Sequence, residues 1–224
     1  VPSGTASYTV TVSDGFNSAT STINVNVYSL PTATATNTGP YCAGQNIQLN
    51  ASGGSTYSWT GPNGFSSSIA SPVISASTSA DAGTYTVVVT NANGCTDNES
   101  TNVVINAVPV ATASNTGPYC AGETVNLSAT GGTSYAWSGP SGFSSSASNP
   151  AITAATPTAS GTYTVVVSGT GGCTATASST VLVNSLPSVS CSNGGPYCTG
   201  ENIMLSALGA SDYTWAGPAG FSSS

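Results

Sequence analysis

The side chains able to do chemistry in this chain are six cysteines and seven carboxylates. Its 224 residues contain no Lys, no Arg and no His. The acids Asp14, Asp81, Asp97, Glu99, Glu123, Glu201 and Asp212 are scattered singly. General acid–base catalysis needs a positioned His, Lys or close carboxylate pair, and a serine nucleophile here would have no base. Asp97 and Glu99 could share one face of a strand, but Ala175 and Ala177 hold the matching places further along the chain. Calcium takes about six to eight oxygen ligands, usually with several carboxylates. Zinc would need closely spaced Cys or His, and the chain has neither Cys-x-x-Cys nor His. Nucleic-acid binding needs Lys or Arg against phosphate. The sequence therefore predicts no catalytic residue, no metal site and no cofactor.

What the cysteines do have is order. Gly39-Pro-Tyr-Cys42 returns as Gly117-Pro-Tyr-Cys120 and as Gly195-Pro-Tyr-Cys198, and the two steps are equal. Trp59, Trp137 and Trp215 keep the same step, as do Tyr85 and Tyr163. A fixed period without insertions marks an array, which serves length or multivalency. The period divides the chain into a partial unit 1–30, complete units 31–108 and 109–186, and a partial unit 187–224. A unit of this size buries only about 60% of its unfolded surface and is marginal without a staple.

Charged residues make up 3% of the chain, against a typical ~25%. The net charge of −7 thus reports missing bases rather than an acidic patch. Ser and Thr are abundant, yet the 38% hydrophobic fraction and the regular tryptophans argue against disorder. No run of 18 apolar residues is present, so no membrane insertion is expected. Neither is a signal peptide. The chain opens and closes inside a repeat, which reads as a segment of a longer protein.

Within 31–108, the residues alternate in short stretches: Thr32–Thr36, Asn46–Ala51, Tyr57–Trp59, Val73–Ala76, Thr84–Val89 and Thr101–Ile105. Ile47, Leu49 and Ala51 fall on one face, and Tyr57 and Trp59 share a side. Gly53-Gly54, Gly61-Pro-Asn-Gly64 and Asn91-Ala-Asn-Gly94 are turns by residue type. No helical period appears. Short strands separated by regular turns predict an all-β fold of two-sheet sandwiches.

Asp81-Ala-Gly-Thr-Tyr85-Thr-Val87, downstream of Trp59, resembles the Asp-x-Gly-x-Tyr-x-Cys signature of immunoglobulin-like (Ig-like) domains. Trp59 then matches the core tryptophan of the third strand and Tyr85 the tyrosine corner. Leu49 and Val87 stand where that family has its core cysteines, and Ala159 replaces Asp81 in the next repeat. The combined motifs resemble Ig-like/PKD-like tandem repeats of large secreted bacterial surface adhesins. That resemblance implies tandem Ig-like β-sandwiches in a rod or filament, at the cell surface or secreted. It puts Trp59, Trp137, Trp215, Tyr85, Tyr163, Leu49 and Val87 in the cores.

In such a sandwich the loops holding Cys42 and Cys95 can meet at one end. The resemblance therefore implies bridges Cys42–Cys95 and Cys120–Cys173, each closing about 54 residues and worth roughly 4 kcal/mol. Disulfides place the protein in an oxidising compartment. Cys198 would pair past the segment, and Cys191 has no assigned partner. Without Lys, lysine–asparagine isopeptide staples are excluded.

The expected function is a structural fibre or stalk, whose partners are copies of itself associating laterally or end to end through uncharged Ser/Thr faces. The alternative is an adhesin binding surface glycans, with Gly61-Pro-Asn-Gly-Phe65 as its candidate turn and Phe65, Phe143 and Phe221 as surface contacts. In that reading Tyr41, Tyr57 and Trp59 join the platform rather than the core. Accessory repeats of a secreted enzyme are a further alternative. The short joints Leu30-Pro31, Val108-Pro109 and Leu186-Pro187 predict a semi-rigid rod.

Overall fold

The computed structural model describes residues 3–224, so Val1 and Pro2 of the first partial unit lie outside the described residues. The chain is all-β, with short 3₁₀ turns and no α-helix among the described residues. It forms two compact units. One takes the chain up to Val110 together with the segment Ser168–Ala175. The other takes Ala111–Val167 and Thr176–Ser224.

The first unit begins with a hairpin of β1 (Gly4–Ser13) and β2 (Ser18–Val27). A sandwich follows. One sheet orders β3 (Thr34–Asn37), β5 (Ile47–Ser52) and β8 (Val73–Ile74) side by side. The other orders β10 (Thr96–Val103), β9 (Gly83–Thr90), β6 (Thr56–Thr60) and β7 (Ser66–Ser67). A short strand β4 (Tyr41–Cys42) pairs in parallel with β11 (Ile105–Asn106). This is the tandem Ig-like sandwich topology that the motifs implied.

Side-chain alternation drives the burial. Along β9, Tyr85, Val87 and Val89 are buried while Val88 is exposed. Along β5, Ile47, Leu49 and Ala51 face the same core. Trp59 lies opposite Val87 in the β6–β9 register and is fully buried, with Leu49 in the same cluster. An apolar Leu–Val–Trp centre thus fills this core.

The second unit repeats the plan. Its sheets are β12 (Thr112–Asn115), β14 (Val125–Thr130) and β17 (Ala151–Ile152), and β16 (Ser144–Ser145), β15 (Ser134–Ser138), β18 (Gly161–Ser168) and β19 (Thr174–Val181). The parallel pair is β13 (Tyr119–Cys120) with β20 (Val183–Asn184). Trp137 and Tyr163 are buried in its core. Residues 187–224 add two small hairpins, β21 (Ser190–Asn193) with β22 (Leu205–Leu208) and β23 (Trp215–Ala216) with β24 (Ser222–Ser223). There Trp215 is only half-buried, and Leu205 and Leu208 are exposed. In the β1–β2 hairpin, Tyr8, Val10 and Val12 are likewise exposed.

Tyr41–Cys42 and Tyr119–Cys120 differ from the sequence expectation, which puts both cysteines in a connection between strands. Two residues carry no readable alternation, so only the partner strand makes them visible as β-structure.

Candidate functional site

Each Gly-Pro-Tyr-Cys segment is anchored by its own side chains. The Tyr41 hydroxyl accepts from Thr38 N (2.9 Å) and donates to Gln48 O (3.2 Å). Tyr119 repeats this toward Thr116 and Asn126. The Gly39–Pro40, Gly117–Pro118 and Gly195–Pro196 peptides are cis. Cys42 N donates to Gln45 Oε1 (2.8 Å), Cys120 N to Glu123 Oε2 (2.7 Å) and Cys198 N to Glu201 Oε2 (2.7 Å). Two of the seven carboxylates are therefore loop caps.

Asn37 contributes a clamp that the sequence reading missed. Its amide donates to Thr101 Oγ1 (2.8 Å) and Asn102 O (3.0 Å), and its carbonyl accepts from Gly39 N. Asn115 makes the equivalent bonds to Ser179, Thr180 and Gly117. The signal was present, since Asn37, Asn115 and Asn193 recur with the cysteines at the same period. Nothing in an isolated Asn says which strand it will tie.

The cysteine pairing corrects the expectation. Cys42 is bonded to Cys173, 131 residues away, with Cα atoms 5.6 Å apart. Cys95 and Cys120 are unpaired, so neither Cys42–Cys95 nor Cys120–Cys173 forms. Cys191 and Cys198 are also free, and exposed. The reason is the parallel register. Cys42 lies opposite Asn106 at the far end of the strand pair that leads away from the β9–β10 turn. Cys95 sits in that turn. At ~3.3 Å per residue the stretch from Cys95 to Asn106 spans about 35 Å, so the two cysteines of one repeat occupy opposite ends of one sandwich. The segment Ser168–Ala175 instead brings Cys173 into the first unit, and its Sγ lies 3.8 Å from Asn106 O. Cys173 is 1% exposed there.

The aromatic candidates other than Phe221 pack inward. Phe65 meets Tyr85 edge to face at 5.3 Å and Phe143 meets Tyr163 at 5.2 Å, and both phenylalanines are half-buried against the cores. Tyr41 and Trp59 are buried, and the half-buried Tyr57 donates to Gly54 O. Phe221 is 50% exposed. Gly61 and Gly139 explain the Trp-x-Gly-Pro motif, because a Cβ at either would run into the ring of Tyr85 or Tyr163. The turn over each corner tyrosine thus serves packing first.

The remaining acids mostly accept backbone N–H groups. Asp97 Oδ2 takes Ala33 N (2.9 Å), and Asp14 Oδ1 takes Phe16 N and Asn17 N. Among the described residues no three Cys, Asp or Glu side chains gather as a metal site. The corner tyrosines Tyr85 and Tyr163 donate to Asp81 O and Ala159 O, both at 2.8 Å. Burial pushes both hydroxyls above the usual phenol range, and the Asp81 charge adds to this for Tyr85.

Asp81 is the carboxylate most tied to the fold. It accepts from Thr78 N (2.8 Å), Thr78 Oγ1 (2.9 Å) and Asn63 Nδ2 (3.1 Å), joining the turns Ser79–Asp81 and Pro62–Gly64. The Thr78 backbone N–H, followed by the Asn63 amide, holds its carboxyl below the usual carboxylate range. A depressed folded pKa means stabilisation that is present above the unfolded value and lost as pH falls through the folded one. Asp81→Ala should cost about 1 kcal/mol, as loss of a turn cap does. It should also flatten the acid side of the stability–pH curve below about pH 4. Chemical denaturation of both chains between pH 2 and 6 checks this, and an unchanged acid slope would refute it.

No protein-family model matches the chain, and no curated protein matches it. Solved structures with similar chain traces include several tandem Ig-like proteins. The three N-terminal domains of the bacteriophage RB49 highly immunogenic outer capsid protein match at 17% identity and TM-score 0.39, covering 82% of this chain and 70% of that one. Murine CEACAM1b matches at 13% and 0.40, covering 69% and 100%. The amphioxus IgVJ-C2 molecule matches at 19% and 0.33, covering 62% and 97%. Likenesses this weak carry no functional information. No helix among the described residues is long and apolar enough to cross a membrane.

Proposed function

We propose that this chain is a stretch of an extracellular structural fibre or cell-surface stalk built from disulfide-linked Ig-like repeats. The repeat limits are those of the period, with 31–108 and 109–186 complete and 1–30 and 187–224 partial. The observation that carries the reading is the Cys42–Cys173 bond, which joins the first cysteine of one repeat to the second cysteine of the next. A covalent tie across successive repeats suits a component that bears tension. The bond also favours an oxidising, extracytoplasmic location. Uncharged outer faces let copies pack without desolvating ions, which supports self-association over a nucleic-acid or membrane partner. Origin in a large bacterial surface adhesin rests on the motif resemblance.

The test is negative-stain electron microscopy of the native protein at micromolar and higher concentration. Regular filaments are the expected result. Particles that stay monomeric at every concentration would overturn the reading.

A further inference from the structure

The observed bridge has three parts. Cys42 lies on a short parallel strand, Asn106 lies opposite it, and Cys173 comes from the β18–β19 turn to rest against the Asn106 carbonyl. Two of these parts recur one repeat earlier. Tyr28 holds the place of Asn106 and Cys95 that of Cys173, each shifted by one full period. Cys95 Sγ lies 3.9 Å from Tyr28 O, matching the 3.8 Å of Cys173 Sγ from Asn106 O. Asn91, at the base of the same turn, donates to Ser29 O (2.9 Å), which fixes the turn there. The complementary two parts recur one repeat later. Cys120 lies opposite Asn184, and Ala121 N donates to Asn184 O (2.9 Å) as Ala43 N does to Asn106 O (2.9 Å). Cys95 is half-exposed and Cys120 is exposed, so both thiols are accessible.

We propose that Cys95 and Cys120 are the two open halves of further bridges of this kind. Cys95 takes the cysteine of a Gly-Pro-Tyr-Cys strand laid parallel beside Val27 and Tyr28. Cys120 takes a hairpin-turn cysteine laid against the Asn184 carbonyl. Each partner is a repeat of the same type, supplied by another stretch of the same polypeptide or by a second copy. The Cys198 loop of a second copy qualifies, since its thiol is exposed and its backbone is held by Glu201 as Cys42 is by Gln45. Forming each bridge breaks two S–H bonds and makes one S–S bond. The two electrons and two protons pass to a disulfide oxidant, which leaves as two thiols.

The experiment is disulfide mapping of the native protein, isolated in iodoacetamide and cleaved after Asp and Glu. That cleavage puts Cys42, Cys95 and Cys120 on separate peptides, and fragmentation spectra assign bonds within the peptide 124–201, which holds Cys173, Cys191 and Cys198. Cys42 should be found with Cys173. Cys95 should be found with a Gly-Pro-Tyr-Cys peptide, Cys120 with a hairpin peptide, and neither should carry the alkyl label. Multiples of the chain mass on a non-reducing gel identify a second copy as the source, and a single-chain mass identifies the same polypeptide. Alkylated Cys95 and Cys120, a Cys42–Cys95 bond, or a Cys95–Cys120 bond in a species of one-chain mass would overturn the proposal. In a Cys173→Ser variant, Cys42 should become alkylated while Cys95 and Cys120 stay bridged. Capture of Cys95 by Cys42 in that variant, in a species of one-chain mass, would also overturn it. A bridged protein without filaments in the microscope would keep this inference and lose the fibre reading.

Discussion

Cys42→Ser should lower the stability of the chain by up to about 5 kcal/mol, the chain-entropy value for closing a loop of this length. The bond encloses 131 residues of sequence separation, so its loss frees more of the unfolded ensemble than any bridge within a repeat would. Cys173→Ser should cost at least as much, because a serine hydroxyl would be left in a buried place. The double variant should be no worse than the costlier single one, since the two sulfurs act as one unit. In a single chain with no partner repeat bonded to Cys95, Cys95→Ser should stay within about 0.5 kcal/mol of the parent. Denaturant unfolding of the four variants decides the matter. Pairing within a repeat requires the opposite order, with Cys95→Ser costly and Cys173→Ser matched by Cys120→Ser.

Trp59→Ala should cost about 3–5 kcal/mol, the usual range for emptying a large aromatic site. Trp59 is fully buried opposite Val87 and in one core cluster with Leu49, so its truncation empties space inside the core. In a sandwich of roughly 80 residues that would lower the melting temperature by on the order of 20 °C. Trp59→Phe should cost much less, for a reason specific to this core. The Trp59 Nε1–H is buried without a hydrogen-bond partner among the described residues, and Trp137 Nε1–H is the same. An unsatisfied buried donor costs about 1–3 kcal/mol, and phenylalanine removes it while keeping most of the ring. Calorimetry of both variants tests this. Equal losses for Ala and Phe would show that the indole nitrogen carries no penalty.

Much of this fold is legible in the residues because its signals are local. Alternation in Ile47–Ala51 and Thr84–Val89 announces strands whose faces the structure then buries. Tyr85 is recognisable as a corner because its bond reaches back only four residues, to Asp81 O. The anchoring of Cys42 by Gln45, and of Cys120 by Glu123, is equally local once the Cys-x-Gly-Gln/Glu spacing is noticed. Phe65 is harder to place, since a turn residue carries no periodicity. Only the Tyr85 ring at 5.3 Å decides that it packs inward.

Residue type and short-range spacing are enough for the period, the all-β class, the core places of Trp59 and Trp137 though not of the half-buried Trp215, and the absence of a base or cation for acid–base or phosphate chemistry. They are not enough for the choice of which cysteines meet. The short strand Tyr41–Cys42 pairs in parallel with Ile105–Asn106, which lies at the other end of the repeat in sequence, and so carries Cys42 to the end of the sandwich opposite Cys95. A disulfide forms where two Cα atoms come within about 4.4–6.8 Å, and sequence separation does not report that distance. The strand register therefore turned a staple expected within one repeat into a bond that reaches from Cys42 to Cys173 of the next.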